Sequence, residues 1–88
     1  MDKIDTVTLE KQIWDIDKVR VVIRAPLVQQ FDGYPYKNAI SEATNVTEFK
    51  RIRLKPILNG APVAVIQGDG SEPHGRTKMA TIRNTYNI

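Results

Sequence analysis

The run KRIRLKPILNGAPVAVIQG, residues 50–68, constrains the fold more than any other stretch of this 88-residue chain. Four basic residues lead into an apolar segment, an Asn-Gly pair follows, and a second apolar segment closes the run. Asn59-Gly60 suits a type I′ turn, whose two central residues need positive φ. A two-residue loop there predicts a hairpin in which Leu58 faces Ala61, Pro56 faces Val63, Leu54 faces Val65 and Ile52 faces Gln67. Those side chains share a core face, and Arg51, Arg53 and Lys55 project from the other. A one-residue slip would bury the cations, which selects this register. Pro62, opposite Ile57, suits an edge strand, whereas Pro56 costs a ladder bond and invites a bulge. Just upstream, Asn45-Val46-Thr47-Glu48 resembles a capping box and predicts a helical turn at 46–50, running into a strand at 51–58.

Period-two alternation elsewhere predicts three further strands. Val7, Leu9 and Ile13 set one side of a strand over residues 5–14, with Lys11 breaking the pattern. Val19, Val21, Ile23 and Ala25 oppose Arg20, Val22 and Arg24 in a β-branched strand over 19–25, which Pro26 ends. Asp15 to Lys18 supply turn chemistry between these two, so a first hairpin spans residues 5–25. The last segment, residues 77–88, alternates through Ala80, Ile82, Tyr86 and Ile88. A short helix capped by Asn38 is expected over 38–45. The expected fold is α+β, with about five mostly antiparallel strands and one short helix in a single domain over residues 1–88. The sheet is either open or closed into a small, partly open barrel.

Charge narrows the classes of partner. The net charge is +3, with six basic against seven acidic residues in 1–44 and seven against three in 45–88. A C-terminal half of +4 favours a polyanion. On a strand, Arg51, Arg53 and Lys55 repeat at about 6.6 Å, near the spacing of phosphates along one nucleic-acid strand. Arg76, Lys78 and Arg83 extend that patch if the fold brings them round, and so do Arg20 and Arg24. Among six aromatics, Tyr34 and Tyr36 flank Pro35 in a loop and are candidates to stack on bases. Trp14 falls on the polar face of its expected strand and suits a protein partner. The bland alternative is a charged sheet face that prevents aggregation.

Catalytic chemistry finds little support. The loop GDGSEPHGRTK, residues 68–78, lacks the Gly-Lys-Ser/Thr ending of a phosphate loop, and Asp69 and Glu72 would repel an anion. His74 is the sole histidine and there is no cysteine, so neither a metal site nor a cofactor site is expected. No enzyme is expected either, because no nucleophile or carboxylate pair accompanies His74. Absence of cysteine fits a reducing, cytoplasmic setting, and the polar start MDKIDTVTLE does not read as a secretory signal. No apolar run reaches the ~20 residues of a membrane span. The expectation is a small non-enzymatic module that contacts nucleic acid through Arg51, Arg53, Lys55, Arg76, Lys78 and Arg83. The alternative is an inhibitor or adaptor of viral or mobile-element type, blocking a nucleic-acid-binding protein. A third reading is a self-associating subunit, a homo-oligomer.

Overall fold

A computed structural model describes residues 3–25, 29–58 and 60–86 of the chain. Among the described residues the fold is α+β, with three α-helices, one π-helical turn and a two-stranded antiparallel sheet in place of the five strands expected. Helix α1, Thr6–Asp17, occupies the segment that alternation assigned to a strand. Its buried residues are Thr6, Leu9, Ile13 and Asp17, spaced at three and four, which is one helical face. The alternation was misleading because Val7, counted as inward, is 68% exposed. Asp5 caps the helix by accepting the Thr8 N–H at 2.8 Å. Lys18 closes it in the left-handed conformation, φ 56°, donating to Trp14 O at 2.9 Å.

Strand β1, Arg20–Ile23, lies inside the predicted strand but does not pair with residues 5–14. Its partner is β2, Val63–Ile66, in the register Arg20↔Ile66 to Ile23↔Val63. Neither expected hairpin forms. The pairing extends to Arg24 and Pro62, where the Arg24 N–H donates to Pro62 O at 2.8 Å. At the other end the Tyr86 hydroxyl enters the ladder: it accepts the Arg20 N–H and donates to Ile66 O. Burial holds the Tyr86 phenol above its ordinary pKa. Pro26 and Asn59, assigned to a strand end and a turn, lie outside the described residues.

Residues 46–54 are helical and 55–58 form turns, rather than an extended strand. Helix α2, Val46–Phe49, starts where the Asn45 side chain accepts the Glu48 N–H at 2.8 Å. It continues directly into a π-helical turn, Lys50–Leu54, closed by Lys55 N–H to Lys50 O at 2.8 Å. The apolar spacing explains the widening. Val46 and Phe49 are buried, and the next buried residues are Leu54 and Leu58. A gap of five between Phe49 and Leu54 fits an i→i+5 turn, not an α-helix of 3.6 residues per turn. Pro56 contributes by lacking the N–H that an α-helix would give to Ile52 O. The Tyr36 hydroxyl takes that carbonyl instead, at 3.3 Å. Ile52, expected in the core, is 45% exposed.

The remaining corrections are at 38–45 and at the C-terminus. Residues 38–45 form turns around Ser41, whose C=O accepts Thr44 N–H, rather than a helix. Helix α3, Met79–Arg83, replaces the terminal strand, burying Met79 and Ile82. The core gathers Leu9 and Ile13 of α1, Val21, Ile23 and Val65 of the sheet, and Phe31, Phe49, Leu54, Leu58, Met79 and Ile82. Residues 74–79 are clipped to residues 44–47 by Val46 N–H to Thr77 O, Thr47 N–H to Gly75 O and Met79 N–H to Thr44 O. At Gly68 the Thr85 carbonyl comes within 1.7 Å of where a Cβ would sit, so that close approach of two backbones requires glycine.

Substituting Tyr86→Phe leaves the Arg20 N–H and Ile66 C=O without their bridge. Urea unfolding is expected to report a loss of about 1–3 kcal/mol, and an unchanged midpoint would contradict the bridging role.

Candidate functional site

The expected cationic stripe is divided by the fold into two groups with opposite roles. The first surrounds Asp17, a fully buried carboxylate at the last turn of α1. Arg53 Nη1 donates to both of its oxygens, at 2.9 and 3.1 Å, and to Asn38 O at 2.8 Å. The Ile40 N–H donates to Oδ1 at 2.7 Å and the Tyr34 hydroxyl donates to Oδ2. Arg83 completes the enclosure, with Nε on Asp17 O at 2.9 Å and Nη2 on Ile40 O at 3.1 Å. Among the described residues no buried side-chain nitrogen or oxygen lacks a partner. Arg53 and Arg83, two of the residues expected to meet a partner, are therefore committed to the interior.

The aromatic candidates are committed as well. Tyr34 and Tyr36 pack edge to face with centroids 5.1 Å apart, and the Arg53 guanidinium lies 4.3 Å from the Tyr36 ring centre. Trp14 is half-buried, edge to face with Tyr86 at 5.2 Å, with Arg20 5.5 Å from its ring centre. These rings hold loops and strands together.

The second group faces solvent. Lys50, Arg51 and Lys55 line one side of a cleft of about 550 Å³, together with Thr47, Leu58, Gly60, Ala61, Pro62 and Val63. That volume falls within the range of small-ligand sites. The π-helical turn builds the cationic wall: its i→i+5 bond brings Lys55 back over Lys50. Gly60, at φ 85°, belongs to the turn that swings the chain into β2 and forms the facing wall. Leu58, Ala61, Pro62 and Val63 make the floor apolar. Arg51 also pairs with Glu48, an exposed contact worth about 0–1 kcal/mol, so it remains available.

Three further exposed cations sit on segments whose backbone is bonded to that of cleft residues or their neighbours. Arg24, exposed, stands directly across from Pro62 in the sheet register. Alternation places it on the same sheet face as Arg20 and Val22, all three exposed while Val21 and Ile23 are buried. Arg76 and Lys78 are exposed on the segment clipped to Thr47, a cleft residue. The cleft thus brings together Arg51 and Lys55 from the expected set and adds Lys50, whereas Arg53 and Arg83 are held around Asp17 and Tyr34, Tyr36 and Trp14 pack against other rings of the fold. The Phe49-to-Leu54 spacing was the signal that placed Lys50 beside Lys55.

Among the described residues no group of three or more His, Asp or Glu side chains converges as a metal site. No helix described is long and apolar enough to cross a membrane. Comparison with protein-family models, curated proteins and solved structures finds no match to this chain.

Two outcomes test the division of cations. Arg53→Ala strips Asp17 of its main counter-ion and should cost about 3–5 kcal/mol, whereas Lys55→Ala should change stability by less than about 0.5 kcal/mol; equal effects in urea unfolding would refute the division. Tyr34 tests the pH dependence. Burial, followed by its bond to the Asp17 carboxylate, holds its phenol well above the ordinary value. A raised folded pKa stabilises the protein fully below the unfolded value of about 10 and is lost as pH rises above it. Stability measured above pH ~10 should therefore fall less steeply in Tyr34→Phe than in the parent chain.

Proposed function

We propose that this chain is a small non-enzymatic binding module that holds the phosphate backbone of a nucleic acid at the cleft between the π-helical turn and β2. The observation that carries the reading is the placement of Lys50, Arg51 and Lys55 on one wall of a concave, apolar-floored site. Ammonium and guanidinium groups that are not spent on internal carboxylates are what phosphate recognition needs. Arg24 lies across from Pro62, and Arg76 and Lys78 are on the segment whose Gly75 and Thr77 carbonyls accept the Thr47 and Val46 N–H groups. A track of such cations suits an extended polyanion better than an isolated anion, since several phosphates are neutralised together. Glu48 is the nearby carboxylate, and its pairing with Arg51 limits its repulsion of phosphate.

Arg53 and Arg83 have no part in this reading, because Asp17 and the Asn38 and Ile40 carbonyls hold them. Neither do Tyr34 and Tyr36, whose rings pack edge to face on each other, with the Arg53 guanidinium over Tyr36. Affinity should come chiefly from counter-ion release and fall steeply with salt.

Binding of a labelled oligonucleotide across a salt series is the test. Lys50→Ala/Lys55→Ala is expected to weaken binding at low salt and to lower the slope of log K against log salt by about 1.4–1.8, at 0.7–0.9 per lost phosphate contact. Absence of binding by the parent chain at low ionic strength, or an unchanged slope in the double variant, would overturn the reading.

A further inference from the structure

Resting on that reading, we infer that the cleft is a pocket for one unstacked base, so the ligand is a single strand and not a duplex. Cations alone would serve either form, since both present phosphates on their outside. The floor makes the distinction. Leu58, Ala61, Pro62 and Val63 are apolar and line a concavity of about 550 Å³ directly against Lys50, Arg51 and Lys55. A duplex keeps its bases stacked inside and offers nothing to fill an apolar hollow beside its backbone. A single strand can turn a base out, and single-stranded recognition works by placing splayed bases against a flat or apolar surface.

The dimensions and charges fit this arrangement. Lys50 and Lys55 stand side by side across the i→i+5 bond, on the wall that the flanking phosphates would meet. Arg24, across from Pro62, would take a phosphate on the opposite side of the base. Among the described residues the only polar side chains lining the cleft are Thr47 and the cations, so the base is held chiefly by burial and shape.

An oligonucleotide series separates this inference from the reading beneath it. The parent chain is titrated at fixed low salt with a single-stranded 12-mer, the same 12-mer carrying abasic sites throughout, and the matching duplex. The single strand should bind about tenfold tighter than either, a difference within what burying one base against an apolar surface supplies. A 2-aminopurine placed within an adenine run should brighten on binding as it leaves the stack. Ala61→Leu, which fills the hollow, should erase the preference without changing the salt slope, and the abasic arm gives the same information if that variant folds poorly. Equal binding of all three ligands, with Lys50→Ala/Lys55→Ala still weakening each, would overturn the base pocket and leave backbone binding standing. Failure of every oligonucleotide to bind, or tighter binding of a poly-glutamate peptide, would overturn both.

Discussion

Everything in this small fold depends on the buried carboxylate of Asp17. It lies at the end of α1, and its partners come from three other places: Tyr34 and Ile40 in the loop after β1, Arg53 in the π-helical turn and Arg83 in α3. A buried ion pair is costly to desolvate and gains nothing unless every lone pair is met. Here each oxygen receives at least two donors, so the same contacts that neutralise the charge also fix how these elements meet. With a modest apolar core, such directional contacts decide which of several compact arrangements the chain adopts. They also withdraw Arg53 from the surface, because a guanidinium held against Asp17 is not free to meet a ligand.

The π-helical turn is the second constraint. Four basic residues lie within Lys50–Lys55, and on a strand or an ideal helix they would scatter differently. Widening by one residue lets Phe49 and Leu54 both reach the core, turns Arg53 towards Asp17, and leaves Lys50 and Lys55 together at the cleft. Pro56 and the Tyr36 hydroxyl support it by removing and replacing the partner of Ile52 O. π-turns of this kind recur at functional sites because they re-aim side chains that an α-helix would bury or separate.

Legibility in the sequence was uneven, for physical reasons. The β-branched run Arg20–Ile23 and the Asn45 cap are local signals, and the structure carries both. The segment at residues 5–14 was ambiguous because Leu9 and Ile13 fit a helix and a strand alike; Asp5 as a cap and Asp17 as an inward residue decide for the helix. A polar residue on the buried face is what period-counting misses. Residues 51–58 misled for a related reason, since a gap of five apolar positions belongs to neither common period. Of the candidate site, Arg51, Lys55, Arg76 and Lys78 were visible as exposed charge. The loss of Arg53 and Arg83 and the gain of Arg24 depend on pairings thirty or more residues apart, which no local pattern records.

The central claim is that one basic sequence run is split, with Arg53 inward on Asp17 and Lys50, Arg51 and Lys55 outward on a ligand. Amide and side-chain NMR shifts, followed as a single-stranded oligonucleotide is titrated into the labelled protein, test it most directly. The account predicts shifts concentrated at Thr47, Lys50, Arg51, Lys55, Gly60 and Val63, with the Arg53 and Arg83 guanidinium resonances unmoved. Perturbation of Arg53 and Arg83 with the cleft silent would contradict it.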